Sequence, residues 1–262
     1  MSDTEIELLA HRLADAAAAA ALPYFRSGLT VENKAESAYD PVTAADRDAE
    51  LAIREIILRE RPDHGFLGEE FGALPGNGTW QWVVDPVDGT RSFVSGIPLW
   101  TTIIGLRQHG TPVFGLVDQP YVGDRFWGAV GAGARMRNRF GQEVPIRTRA
   151  CAALADATLM TTTPALMTGP GERERYDAVE RAVRLARYGA DGYAYCMLAA
   201  GQIDLVVETG LQSYDVVGLI PIIEAAGGVL TSWDGGSANE GGPVIAAGDP
   251  RIHAAALEIL NR

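Results

Sequence analysis

The chain has 262 residues, 47% of them hydrophobic and 21% charged, with a mean hydropathy of +0.01. This balance excludes disorder, a collagen and a membrane-embedded chain, because charges or glycines interrupt every apolar stretch well short of the roughly 18–20 residues of a spanning helix. The net charge of −12, from 34 acids against 22 bases, argues against a nucleic-acid-binding face, which must neutralise phosphates, and leaves room for a local anion or cation site.

Residues 3–27 read as a helix, with Ile6, Leu9, Leu13, Ala16, Ala17 and Ala20 at helical spacing and Gly28 as its end. Asp3, Glu5 and Glu7 stand where a secretory signal would carry lysines. Val31–Lys34 suggests a short strand, Lys34 to Pro41 a polar loop, and Thr43 the start of a second helix that Pro62 follows. From 64 to 130 strands dominate, at Gly65–Leu67, Trp80–Val84, Thr101–Arg107, Val113–Val117 and Arg125–Val130, with Gly72–Gly78 as a loop. After Pro145 helices and strands alternate. Strands are expected at Thr158–Thr162, Leu185–Gly189, Ile203–Val207 and Val244–Ala246. Helices are expected at Glu172–Ala186, Gly192–Ala200, Val216–Ala226 and Pro250–Leu260. A soft boundary near 145 divides an N-terminal half, 1–145, from a C-terminal half, 146–262. Cys151 and Cys196 form no CxxC pair, which suits a reducing, cytoplasmic setting, and His11, His64, His109 and His253 show no zinc-ligand spacing.

Four acidic motifs stand out, each with a plain structural reading beside a chemical one. Gly68-Glu69-Glu70-Phe71 leaves a strand with two adjacent carboxylates that solvent alone would satisfy. Trp82-Val-Val-Asp85-Pro86-Val87-Asp88-Gly89-Thr90 runs an apolar strand into two acids. It reads as a turn, or as a hard-cation site in which Pro86 aims both carboxylates and the Val87 carbonyl at one point. Gly89 and Thr90 then start a short helix whose free N–H groups suit a phosphate. Asp215 in Tyr214-Asp215-Val-Val opens a helix, where an N-cap is the default. Asp40-Pro-Val-Thr43-Ala-Ala-Asp46 resembles a capping box, with Asp in place of the usual Glu or Gln.

In this order and spacing the motifs, with the Glu224-Ala-Ala-Gly-Gly228 helix end, resemble the inositol monophosphatase-like superfamily of metal-dependent phosphatases over nearly the whole chain. Gly89-Thr-Arg-Ser-Phe-Val-Ser-Gly-Ile-Pro-Leu-Trp100 and Gly189-Ala-Asp-Gly-Tyr-Ala-Tyr195 look most like the histidinol-phosphate phosphatase branch; inositol phosphatases tend to have Thr-Asn where Arg91-Ser92 stands. The resemblance implies a mixed α/β fold, a layered αβαβα sandwich. Its N-terminal half would carry most metal ligands, and its C-terminal half Asp215 and the substrate-tail contacts. It implies Glu69, Asp85, Asp88, Asp215 and the Val87 carbonyl as ligands for two or three Mg²⁺ ions. Asp46 and Thr90 match a pair that handles the attacking water with Glu69, and Gly89 and Thr90 match a phosphate cradle. It also implies a homodimer acting on a small phosphate ester.

Physics supports such a centre independently. Two unit charges about 5 Å apart repel by about 3 kcal/mol at an effective dielectric of 20, so converging carboxylates need cations. Those cations then attract a phosphate dianion that acids alone would repel. The resemblance places Asp191 and Glu208 near the substrate's organic part, where acids suit the ammonium and imidazole of histidinol phosphate. A plain reading makes Asp191 an N-cap, Glu208 also fits inositol hydroxyls, and Arg91 contacts phosphate or orients an acid. The expected activity is therefore Mg²⁺-dependent histidinol-phosphate hydrolysis in histidine biosynthesis. The alternatives are an inositol-1-monophosphatase or broad sugar phosphatase, and a metal-binding regulatory protein without catalysis. The full set, with Asp46 and Thr90, disfavours the last, since a chain without catalysis would be free to lose those residues.

Overall fold

The computed structural model describes residues 1–28, the backbone at 32–33 and 41–42, and residues 43–262. The expected loop at 34–40, with Asp40, lies outside the described residues; β1 (Glu32–Asn33) and β2 (Pro41–Val42) pair antiparallel around it. Helix α1 (Asp3–Ala21) opens on a capping box between Ser2 and Glu5 and buries Ile6, Leu9, Leu13 and Ala17 along one stripe. It ends six residues short of expectation. Pro23 has no N–H to continue the ladder, and the chain tightens into a 3₁₀ turn at Leu22–Tyr24. Helix α2 (Ala44–Glu60) starts at the Thr43 cap and buries Ala45, Ala49, Ile53 and Ile57.

Eight strands follow: β3 (Gly65–Gly68), β4 (Gly72–Leu74), β5 (Trp80–Asp88), β6 (Thr101–Gln108), β7 (Thr111–Gln119), β8 (Asp124–Ala129), β9 (Gly133–Arg137) and β10 (Glu143–Ile146). They form one sheet in the order β10-β9-β8-β7-β6-β5-β3-β4, antiparallel except for β3 against β5. A short helix, α3 (Thr90–Val94), sits between β5 and β6. Further on come β11 (Thr158–Thr161), α4 (Glu172–Ala182), β12 (Leu185–Tyr188), α5 (Asp191–Ala199), β13 (Leu205–Leu211), α6 (Ser213–Val216), α7 (Leu219–Ala225), β14 (Val229–Ser232), β15 (Gly242–Ala247) and α8 (Pro250–Leu260). Their strands make a second sheet in the order β12-β11-β13-β15-β14.

Strand alternation sorts the side chains into three cores. Ile104 and Leu116 face α1 and α2, whereas their neighbours Ile103 and Val117 face a middle layer built by α5 and α7. On the second sheet Val206 and Ala246 face that middle layer, while Leu205, Val207 and Ala247 face α4 and α8. The result is the expected five-layer αβαβα sandwich.

The middle layer sits unusually close to the large sheet. Gly105, Gly115 and Gly128 lie side by side across β6, β7 and β8. A Cβ on Gly115 would collide with the Gly218 carbonyl, and one on Gly128 would lie 2.9 Å from the Cα of Ile222. These glycines let the start of α7 rest backbone against backbone.

Several boundaries differ from the sequence reading. The stretch expected as one helix from Val216 to Ala226 is two, α6 and α7. Gly218 lies between them, and Pro221 has no N–H for the Val217 carbonyl, which confines it to the first turn of a new helix. Helix α4 stops at Ala182, and residues from Leu185 pair in parallel with β11. The Gly72–Gly78 loop contains β4, and β9, β10 and β14 were not expected. No helix among the described residues is long and apolar enough to cross a membrane.

Candidate active site

Strand β5 does not end at Val84 as expected; it continues through both acids to Asp88. Its pairing with β6 slips on the way: Asp85 is opposite Ile103 and Asp88 opposite Thr101, three steps on one strand against two on the other. Pro86 sits in this bulge, where its missing N–H breaks no ladder bond. Residues three apart on a regular strand point to opposite faces. The extra residue cancels that alternation, and carboxylate oxygens of Asp85, Asp88 and Asp215 come within 4.8 Å of one another.

Each of the three carboxylates is held by the protein. Asp85 Oδ1 accepts the Val87 N–H at 3.1 Å. Asp88 Oδ2 accepts the Thr101 hydroxyl at 3.0 Å and the Gly192 N–H at 2.7 Å. Asp215 Oδ2 accepts the Gln212 N–H at 2.6 Å, closing the first turn of α6. Asp215 is thus not the N-cap of its plain reading: Gln212 holds that position, and Asp215 is the third helical residue, whose side chain reaches back to close the capping box.

Glu69, at the β3–β4 turn, faces Asp85. All the sequence-designated residues except Asp46 and Glu208 line one cavity of about 220 Å³: Glu69, Asp85, Val87, Asp88, Gly89, Thr90, Arg91, Asp191 and Asp215, joined by Thr162 and Leu166. Asp46 lies behind it, buried. Its Oδ2 accepts the Thr43 N–H at 2.9 Å and hydroxyl at 2.6 Å, while Oδ1 accepts the Thr90 hydroxyl at 3.2 Å. The capping box thus exists, and the same carboxylate reaches the cavity wall through Thr90, whose hydroxyl also approaches the Val87 carbonyl at 3.1 Å.

Glu208 lines an adjoining cavity of about 120 Å³ that shares Asp88, Asp191 and Asp215 with the first and adds Tyr195, Leu211 and Leu219. Its Oε1 accepts the Thr162 N–H at 2.7 Å and hydroxyl at 2.6 Å, and its Oε2 the Tyr195 hydroxyl at 2.9 Å.

Asp191 is not the N-cap that its plain reading suggested. It is the first residue of α5, at φ +46°, a left-handed conformation that costs a non-glycine residue about 1–3 kcal/mol. The cap position falls one residue earlier, on Ala190, which has no side chain to accept an amide; the Gly192 N–H goes to Asp88 instead, and the Asp191 carboxylate turns to the Ser92 hydroxyl at 3.4 Å.

Electrostatics follows from this crowding. Burial, then Glu69, Asp88 and Asp215, pushes Asp85 well above the usual carboxylate range. Burial, then Asp191 and Asp215, does the same to Asp88. Asp215 is raised to about 7, chiefly by burial. Burial also raises Asp46, Asp191 and Glu208. At 4.8 Å and a dielectric of 20, each ionised pair repels by about 3 kcal/mol. An all-oxygen, polyanionic donor set fits a hard divalent cation.

The sequence reading missed Thr101, Thr162, Tyr195 and Glu50. Thr101 and Thr162 acquire their partners only through strand pairing. Glu50 did carry a signal, an acid on the apolar stripe of α2 one turn after Asp46.

The sequence profile of the inositol monophosphatase family matches residues 2–262. The bifunctional phosphatase IMPL2, chloroplastic, of Arabidopsis thaliana is 39% identical over 275 residues, covering 100% of this chain and 77% of that protein. A histidinol-phosphatase of Mycobacterium tuberculosis is 36% identical, covering 84% of this chain and 85% of that one. The solved structure of an inositol monophosphatase from Zymomonas mobilis superposes with a TM-score of 0.87 at 40% identity, covering 100% of both chains. This chain belongs to the inositol monophosphatase family and is a phosphatase.

Proposed function

We propose that the chain hydrolyses L-histidinol phosphate to L-histidinol and phosphate in histidine biosynthesis, using two or three Mg²⁺ ions held by Glu69, Asp85, the Val87 carbonyl, Asp88 and Asp215. The observation that carries this reading is the make-up of the two joined cavities. Beyond the three clustered aspartates lie two more acids, Asp191 and Glu208, with Leu166, Leu211, Leu219 and Tyr195 around them. Acids among apolar walls suit a flat cationic tail. Charge-assisted hydrogen bonds to it would contribute about 1.5–3 kcal/mol.

When bound, the ions would neutralise the carboxylates, attract the phosphate dianion and make water acidic enough to be a nucleophile. The chain's own residues do the rest. The Thr90 hydroxyl donates a hydrogen bond to Asp46 Oδ1 or to the Val87 carbonyl, which leaves a lone pair of its oxygen free to accept a hydrogen bond from a water. Asp46, fixed by two bonds from Thr43, is placed to receive that water's proton, and Glu69 bounds the same water from the other side. The first-turn N–H groups at Gly89 and Thr90 have no partner within α3 and suit the phosphate oxygens. Arg91 adds positive charge beside them. Water attacks phosphorus and gives up a proton toward the Asp46–Thr90 pair, the ester P–O bond breaks, and the leaving alkoxide takes a proton from a second water. The reading takes the attack as direct, without a phosphoenzyme: no histidine or cysteine lines the cavity among the described residues, and Asp85, Asp88 and Asp215 are assigned to the ions.

A second reading, hydrolysis of inositol-1-phosphate, draws on the 40% identity to the Zymomonas mobilis enzyme. Parallel rates on histidinol phosphate, myo-inositol-1-phosphate and fructose-1,6-bisphosphate separate the readings, and a preference for the inositol ester overturns the first. Asp191→Asn should slow histidinol phosphate hydrolysis about tenfold, the equivalent of about 1.4 kcal/mol, and glycerol-2-phosphate much less. Equal losses on both would make Asp191 a structural residue. The reading keeps the homodimer that the resemblance implies, which sedimentation of the purified chain tests.

A further inference from the structure

Helix α2 carries two buried acids one turn apart, and the site described so far uses only Asp46. Glu50 is fully buried, and among the described residues no cation bonds its carboxylate, although the charge of Arg54 acts on it from a distance. Its Oε2 accepts the Glu70 N–H at 2.7 Å and its Oε1 the Phe71 N–H at 3.1 Å. Those amides belong to the turn that joins β3 to β4, and Glu69 directly precedes them. The preceding residue, Gly68, leaves the space that the Glu50 carboxylate occupies: a Cβ there would collide with Oε1, Oε2 and Cδ. Burying a carboxylate is costly, and turn amides can be satisfied by water or by a neutral side chain at far lower cost. A charge spent on this turn fits a turn whose orientation matters.

We propose that Glu50 is a positioning residue for the metal ligand Glu69, clamping the Glu69–Phe71 backbone so that the Glu69 carboxylate faces Asp85. The inference rests on the metal assignment of the previous subsection. Through α2, one rigid helix then sets both the Asp46–Thr90 pair and the Glu69 side of the cavity, in fixed register with each other.

The test is Mn²⁺ binding by electron paramagnetic resonance, in the absence of substrate, to the wild type and to Glu50→Gln, Glu69→Gln and the double variant. Glu50→Gln keeps the volume but turns an NH₂ toward one of the two amides. It should weaken Mn²⁺ binding at least threefold and raise the Mg²⁺ concentration for half-maximal turnover by a similar factor. Because Glu50 acts through Glu69, the double variant should bind no more weakly than Glu69→Gln alone. Additive losses, or a Glu50→Gln variant that loses melting temperature in EDTA while binding Mn²⁺ as the wild type does, overturn the proposal. If Glu50→Gln does not fold, Glu50→Asp, which keeps the charge but withdraws it from both amides, takes its place in the same comparison. If Glu69→Gln binds Mn²⁺ as tightly as the wild type, it is the metal assignment of Glu69 that fails.

Discussion

Asp46→Asn separates a helix cap from a proton acceptor, because the structure gives the two oxygens of Asp46 different work. The amide can keep its oxygen toward Thr43, preserving both bonds at the Oδ2 position. The NH₂ then faces Thr90, whose hydroxyl must turn its proton to the Val87 carbonyl. Folding loses the charge assistance of two bonds, about 1 kcal/mol each, and regains part of it because a buried carboxylate no longer has to be desolvated. The net cost should be about 1 kcal/mol, a melting-temperature drop of roughly 2–4 °C for a chain of this size. Turnover should fall far more, by roughly 10²–10⁴-fold, the usual contribution of a positioned general base. Saturating kcat on the preferred phosphate ester and a thermal melt, both in excess Mg²⁺, measure the two effects. A variant that melts several degrees lower but turns over within threefold of the wild type would refute the assignment and leave Asp46 as a cap alone.

Exhaustive EDTA treatment should abolish phosphatase activity and lower the melting temperature; at a Mg²⁺ concentration a hundredfold above Kd the bound ion contributes about 2.7 kcal/mol, and full activity after chelation would remove the metal from the mechanism. Arg125→Met should destabilise by about 3–5 kcal/mol in denaturant titrations, because Asp118, which Arg125 Nε bonds at 2.7 Å, would be left buried and unpaired. Replacing both residues by apolar ones of similar volume should recover much of that loss. His11 is pushed down to about 4, first by burial and then by Arg125, whose Nη1 lies 3.3 Å from its Nδ1. The unfolded chain binds the proton near pH 6.5 and the folded chain does not. Stability from this residue is therefore complete above pH 6.5 and is lost as pH falls from there to about 4. Denaturant titrations across that window should show a shallower slope for His11→Gln.

What could be read from the sequence was local. Asp85-Pro-Val-Asp88 is a contiguous string, and its cation-site reading needed only the residue types. The five layers were implied by the resemblance alone; Ile103, Ile104, Leu116 and Val117 agree with them, being apolar on both strand faces, as a sheet buried on both sides requires. The β5 bulge that turns Asp85 and Asp88 to one side was not legible, since it exists only relative to β6. The partners of Glu208 were hidden for the same reason: Thr162 lies 46 positions away and arrives through the pairing of β11 with β13. Strand β9 escaped because Gly133, Arg135 and Arg137 interrupt its two apolar residues, β10 because it is a four-residue edge strand that holds Pro145, and β4 because three residues give no periodicity. At Asp191 the preference of Asp for N-caps pointed the wrong way, because the helix starts one residue earlier and leaves Ala190 at the cap.

The seat of α7 on the glycines of the large sheet has a mechanical consequence. Side chains between two layers act as a compliant cushion: they change rotamer and absorb small displacements. Between Gly115 and Gly218 there is none, so the two backbones transmit force directly. Asp215, just ahead of that seat, is thereby tied in position to Asp85 and Asp88, although the three carboxylates come from opposite sides of residue 145. The joint also sets a rule for recombination. A crossover near 145 between this chain and a relative joins Gly105, Gly115 and Gly128 from one parent to Gly218 from the other. Such a chimera can bring its carboxylates together only where both parents leave the same gap.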